Sequence, residues 1–242
     1  MKPVTFPYAE AVAEKGFWQA SRFQILRRVS QAAFLLLFIA GPVAGVWIVK
    51  GTLASSLTLG VLPLSDPFIV LQSILAGHWP EMTALLGAGL VVALYALVGG
   101  RTYCSWVCPI NPVTDAAAWL STKFEIKTNT KLWPKWRLAI LLSVLAVSAL
   151  TGTIVWEAIN PITALHRALL FGSLFGFYLA LAIFLFDLFV VKNGWCGHLC
   201  PVGAFYAALG KGALLRVSTI RRAACDDCMA CYAVCPEPHV IT

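Results

Sequence analysis

Eight cysteines fall into three tight clusters, and their spacing belongs to redox or metal chemistry rather than to disulfide stapling. Cys225, Cys228, Cys231 and Cys235, the last followed by Pro236, have the spacing of the bacterial ferredoxin run that wraps a [4Fe–4S] cluster. Such close spacing lets three thiolates point into one small pocket, and the proline after the fourth turns the backbone away. Zinc is the competing occupant, but four-cysteine zinc sites are usually two separated Cys-x2-Cys pairs. In two-cluster ferredoxins the fourth cysteine serves the other cluster, so Cys235 either closes its own cluster or donates to a second one encoded beyond Thr242. Cys104/Cys108 and Cys196/Cys200 follow a different pattern, each a pair four residues apart with Pro109 or Pro201 next. Brought together, these four thiolates suit one further [4Fe–4S] cluster, a redox-active dithiol or a transient metal site. His198, inside the second pair, reads as a hydrogen-bonding neighbour before a ligand.

The elements that position these cysteines are apolar. The chain has 242 residues, 60% of them hydrophobic and 12% charged, far from the composition of a soluble domain. That excludes a soluble enzyme, a disordered tail and a secreted disulfide scaffold. Hydropathy places spans at about Val29–Val49, Thr83–Val98, Leu138–Trp156 and Leu169–Val191, each near the ~20 residues that cross a bilayer. The first span starts too late and runs too long for a cleavable signal peptide. The formal charge of +7 describes topology, not nucleic-acid binding. Of the Lys and Arg residues only Lys50 and Arg167 fall in the two loops opposite the termini, which puts both termini and the 101–137 loop in the cytoplasm. Trp47, Trp79, Trp136, Trp156 and Trp195 fall at span ends, as interfacial anchors do. The Gly41-Pro42 pair is expected to bend the first span.

An internal repeat organises the spans. Arg28 opens a span ending at Trp47, and Arg137 one ending at Trp156; Asp66-Pro67 is answered by Asn160-Pro161, and Cys104–Pro109 by Cys196–Pro201. Both halves start on the same side, so the repeat is parallel, with a pseudo-twofold axis along the membrane normal that brings the cysteine pairs face to face. The expected architecture is an all-α integral membrane protein of four transmembrane helices in two-fold pseudo-repeat, followed by a small ferredoxin-like segment. Its divisions are a cytoplasmic segment 1–28, the membrane domain 29–203, and a cytoplasmic ferredoxin-type segment 204–242 that reads as truncated.

With the stretches Tyr103-Cys-Ser-Trp-Val-Cys-Pro, Gly194-Trp-Cys-Gly-His-Leu-Cys-Pro-Val-Gly203 and Cys235-Pro-Glu-Pro-His239, the chain resembles the NapH family over essentially its whole length. These are membrane iron–sulfur subunits of a quinol dehydrogenase serving periplasmic nitrate reductase. The resemblance implies a multi-pass protein of the bacterial inner membrane, with all eight cysteines as redox residues and membrane quinol as substrate. It also implies a partner iron–sulfur protein, NapG, on the periplasmic side, passing electrons toward nitrate reductase. The family's second ferredoxin run, normally downstream, is missing, which leaves the number of clusters and the role of Cys235 open. The alternative is a metal reductase or cofactor-maturation factor of the related polyferredoxin type.

Quinol oxidation needs an apolar slot and a proton acceptor within hydrogen-bond reach of the ring oxygens. Candidates on the outer side are Asp66, His78 and Glu81 in the first outer loop and Glu157, Asn160, His166 and Arg167 in the second. Each alone reads as a solvated loop residue; the set draws on both halves. Asp187 lies within the fourth span, where an acid is a functional candidate by default, with a role as cap or as partner of Lys192 equally open.

Overall fold

The computed structural model describes residues 7–126, 133 and 136–214. The Cys225–Cys235 run lies outside the described residues, as do Lys2, Lys127, Lys131, Lys135, Arg216, Arg221 and Arg222, and the segment expected from 204 onward is described only to Leu214.

The chain opens with α1 (Pro7–Ala44), whose regular path is broken at Gly16, where the backbone (φ 77, ψ 157) takes a conformation open to glycine. Its stretch Gly16–Ala44, 29 residues, is long and apolar enough to cross a membrane. Pro42 sits in the last turn, so it marks the end of the helix rather than a bend within it. The chain has left the helix before Val49, where the first span was expected to end.

The all-α expectation needs correction here. Residues after α1 form an antiparallel meander of β1 (Val49–Gly51), β2 (Ser55–Thr58) and β3 (Leu62–Ser65), with Val49 opposite Thr58 and Ser55 opposite Ser65. Strands of three or four residues are too short for hydropathic alternation to reveal.

Helices follow: α2 (Pro67–Leu75), α3 (Met82–Val98), α4 (Thr102–Trp106), α5 (Asn111–Lys123), α6 (Trp136–Thr151), α7 (Val155–Ile159), α8 (Pro161–Phe171) and α9 (Leu174–Phe189), then a π-helical turn Trp195–Leu199 and α10 (Pro201–Gly210). Two expected spans are thus interrupted. The third stops at Thr151, before Gly152 (φ 64), and the fourth is split where Gly172 (φ 67) caps α8 in a left-handed conformation. At 16 or 17 residues, α3, α6 and α9 are shorter than the apolar stretch of α1.

α2 and α8 begin alike. The Asp66 carboxylate accepts the Phe68 N–H at 3.0 Å, and the Asn160 amide oxygen accepts the Ile162 N–H at 3.1 Å. Pro67 and Pro161 take the first helical position, where a missing N–H costs nothing.

α2 packs on α3 and α6, and α8 on α9 and α1; α5 packs on α9, and α10 on α3 and α6. The helix after each cysteine pair therefore lies against the long helix that precedes the other pair. At the α10 crossing a Cβ on Gly100 would sit 1.7 Å from the Tyr206 carbonyl oxygen, so no larger residue fits. The core gathers at this crossing from Phe68, Tyr103, Ile110, Trp156, Ile162 and Tyr206. Trp156, 2% exposed, fills that core instead of anchoring at an interface, unlike the exposed Trp47, Trp79 and Trp136. Large apolar side chains such as Leu36, Leu90, Leu150 and Phe189 cover the outside.

Candidate functional site

Cys104 rides on α4 and Cys108 follows it; Cys196 lies in the π-helical turn and Cys200 caps α10, whose first residue is Pro201. All four are free thiols lining one cavity of about 330 Å³, and its wall is completed by Trp156, Pro161, Ile162 and Trp195. The second cap segment, expected in an outer loop away from the cysteines, thus forms part of the same chamber. Among the described residues no three His, Cys, Asp or Glu side chains close on a point as they would around a single ion. The sulfurs surround a wider space.

Burial pushes the Cys108 thiol up to about 12 and the Cys200 thiol to about 11, and raises Cys104 and Cys196 further. Neighbouring thiols add to the rise for Cys104 and Cys196, against a weak contact of Cys196 Sγ with Thr114 Oγ1 at 3.6 Å. The four are therefore neutral thiols, and ligating a cationic centre requires their protons to leave.

α1 holds the first pair in place. Ser30 Oγ donates to the Trp106 carbonyl at 3.0 Å and Gln31 Nε2 to the Ser105 carbonyl at 2.8 Å, gripping the backbone between Cys104 and Cys108. Gln31 Nε2 and Arg28 Nη1 also donate to Asn111 Oδ1, at 3.1 and 3.2 Å. Below them Asp115 takes ion pairs from Arg27 at 2.6 Å and from Arg28. Around the second pair, Asp187 Oδ1 accepts the Trp195 N–H at 2.9 Å.

A family described as a 4Fe-4S binding domain matches the chain at residues 81–127 and 172–221, one cysteine pair in each segment. The methylamine utilization ferredoxin-type protein MauN of Methylorubrum extorquens is 53% identical over 234 residues, 97% of this chain and 82% of the relative. The ferredoxin-type protein NapH of Escherichia coli is 47% identical over 96% of this chain and 81% of its own length. The chain belongs to the NapH and MauN ferredoxin-type proteins. NapH of Haemophilus influenzae, 46% identical over 98% of the chain, belongs to the same group. No solved structure matches. Membership makes this a membrane-associated, ferredoxin-type electron-transfer protein with a 4Fe-4S binding domain.

In this NapH/MauN-type chain the other predicted site residues separate by burial. His166 is fully buried, its ring edge-on to Phe38 at 5.7 Å, and neither ring nitrogen has a partner among the described residues. Burial, and then Arg167, lower its ring below the usual 6.5. Asn160 is buried at its cap, donating to Glu157 at 3.2 Å, so neither it nor His166 is the solvated loop residue the sequence suggested. Half-buried Asp66 accepts the Tyr206 hydroxyl at 3.3 Å, and burial pushes its carboxyl up to about 6. Asp187 is fully buried and serves the Cys196 turn through Trp195. By contrast His78 is exposed, its Nε2 3.1 Å from the Gly152 carbonyl; Glu81 is exposed beside Thr83; Arg167 pairs with Glu157 at 3.4 Å. His198 is half-buried and not among the cavity-lining residues.

Sequence reasoning missed Gln31, Gln72, Asn111, Asp115 and Trp156. Gln31 and Gln72 each sit beside a serine, Ser30 and Ser73, at a short polar break in an apolar helical run, a signal that hydropathy averages away. Arg27 and Arg28 counted only as topology charges.

Proposed function

We propose that the chain is the membrane subunit of a quinol dehydrogenase, passing electrons from quinol through iron–sulfur centres to a partner of the NapG kind and on toward periplasmic nitrate reductase. The observation that carries this is the single cavity shared by both cysteine pairs. An all-thiol set of four donors around one chamber fits a [4Fe–4S] cluster. Cys104, Cys108, Cys196 and Cys200 hold it in this reading, and Cys225, Cys228, Cys231 and Cys235 hold another. Such a cluster, when bound, supplies one-electron redox chemistry at a potential set by its surroundings.

In the same reading α1, α3, α6 and α9 cross a bacterial inner membrane, with both termini cytoplasmic. The apolar side chains exposed along these helices support it. The two-fold repeat is supported by reciprocal packing, in which α2 on α6 answers α8 on α1 and α5 on α9 answers α10 on α3.

Quinol oxidation releases two protons with its two electrons, so the chain must offer acceptors near the cavity. His166 lies five residues past Pro161, roughly 7–8 Å along the helix axis from the cavity wall. Its ring nitrogens, without partners among the described residues, offer a place for a proton, against the cost that burial and Arg167 set on the charged ring. Asp66, hydrogen-bonded by Tyr206, is the second acceptor. Exposed His78, Glu81 and Arg167 belong to the surface that meets the partner.

The test is anaerobic purification with iron and sulfide determination, then EPR after adding quinol or dithionite. Both reductants should produce the cluster signal, and His166→Leu should slow reduction by quinol alone. Signal with dithionite but none with quinol refutes the quinol step and leaves the metal-reductase or maturation alternative. The identity to MauN favours a second reading, in which the same electron transfer serves methylamine utilization; loss of growth on methylamine rather than on nitrate in a deletion strain distinguishes the two.

A further inference from the structure

Trp156, in the wall of the thiol cavity, uses half of its hydrogen-bonding capacity among the described residues. Its backbone N–H donates to Gln72 Oε1 at 3.2 Å, and the same oxygen accepts Ser148 Oγ at 3.1 Å. Its ring meets Phe68 at 6.4 Å and an interplanar angle of 66°. Backbone and ring are thus held from α2, and the residue is 2% exposed. Yet its indole N–H has no acceptor among the described residues. Buried donors are rarely left unspent in a folded protein.

The cavity's own lining narrows the choice of acceptor. Asn111 Oδ1 already takes donors from Gln31 and Arg28. Ser105 Oγ is engaged with the carbonyls of Arg101 and Thr102. The four sulfurs are the acceptors this lining gathers in number: among the described residues Cys196 has only the long side-chain contact to Thr114, and Cys108 and Cys200 take backbone N–H groups from the turns that follow them.

We infer that the Trp156 indole N–H donates a hydrogen bond to a sulfur of the centre held by Cys104, Cys108, Cys196 and Cys200, and thereby favours its reduced form. The inference rests on the cluster reading above. Reduction adds negative charge that is shared by the sulfurs, and a donor aimed at a more negative acceptor binds it more strongly. The second-half cap segment, remote from the cysteines in sequence, then sets how readily the site accepts an electron.

Trp156→Phe keeps the ring and removes the donor. The readout is an EPR-monitored redox titration of the signal that disappears in Cys104→Ser, with iron content measured on the same sample. The expected result is full iron and an about tenfold weaker preference for the reduced state, which for one electron is about 59 mV to more negative potential. Full iron with an unmoved midpoint overturns the inference and leaves the cluster reading intact. Wild-type protein without iron at these four cysteines overturns both. Should the variant fail to assemble, pulsed EPR on reduced wild-type protein carrying indole-¹⁵N tryptophan decides the matter. A ¹⁵N coupling to the cluster is expected, and its absence overturns the inference.

Discussion

The Cys104–Cys108 and Cys196–Cys200 segments share a spacing and a following proline, but they are held by different means. The first is gripped by side chains of α1, 74 to 76 residues earlier, and underpinned by two ion pairs to Asp115. At the second, Asp187 accepts the N–H of Trp195 eight residues on, Thr114 touches Cys196 at 3.6 Å, and α6 packs on the turn. The backbone of the same motif is therefore hydrogen-bonded by side chains of a distant membrane-competent helix in one half and by a nearby carboxylate in the other. A shared ligand pattern states which atoms must converge; it says nothing of what makes them converge.

The sharpest break in the comparison is removal of a ligand. If the two pairs serve one centre, Cys104→Ser and Cys200→Ser each abolish the same EPR signal and about four iron atoms per chain, and the double variant loses no more. Iron losses that add in the double variant would show two independent dithiols.

Below that stands the support of the first pair. The Arg27 side chain is 6% exposed and that of Asp115 20% exposed. Asp115→Ala removes the carboxylate that Arg27 and Arg28 share, and losing one partner of a largely buried ion pair costs up to roughly 3–5 kcal/mol. We expect the largest fall in thermal stability of any non-cysteine variant, together with faster loss of iron on exposure to air. A melting temperature within a degree of wild type would rule out a supporting role for this ion-pair network. In the second half, Asp187→Ala takes the acceptor from the half-buried Trp195 N–H, at a cost of about 1 kcal/mol. Its effect on melting should be smaller than that of Asp115→Ala; the reverse order inverts the comparison.

Much of this was readable from the chain alone, and the failures have a common cause. The cysteine pairs, the helix at 82–98 and the matching Asp-Pro and Asn-Pro caps all announce themselves by residue type and spacing. Hydropathy, however, sorts segments into spans and aqueous loops, and has no category for a capped helix that packs inward from a loop. Asp66, Asn160 and His166 were consequently placed in solvent, and Trp156 at an interface, when α7 and α8 carry Trp156, Asn160 and His166 into the core and the start of α2 half-buries Asp66. The meander at 49–65 escaped because its strands are too short to show alternation. Gln31 and Gln72 were visible as polar residues in apolar runs, but their partners, Ser105, Asn111, Ser148 and Trp156, come together only through tertiary packing.

The smallest effect expected concerns the one chemical difference between the two caps, Asp66 against Asn160. Both side chains accept an N–H two residues on, but only Asp66 can ionise. Burial raises its carboxyl to about 6 in the folded chain, against about 3.9 when unfolded. The folded state therefore holds this proton more tightly. The contribution is fully present below about pH 4 and is lost as pH rises through about 6, since between those values the folded chain binds more proton than the unfolded one. Water reaching the half-buried group reduces the effect to an order of 1–2 kcal/mol. Asp66→Asn turns the first cap into a copy of the second, keeps an amide oxygen for the Phe68 N–H, and removes the titration. The difference in melting temperature between variant and wild type should therefore favour the variant more at pH 7 than at pH 4.5. A difference that stays constant across that range would mean that Asp66 is as well solvated folded as unfolded, and that the two caps are equivalent in charge as well as in geometry.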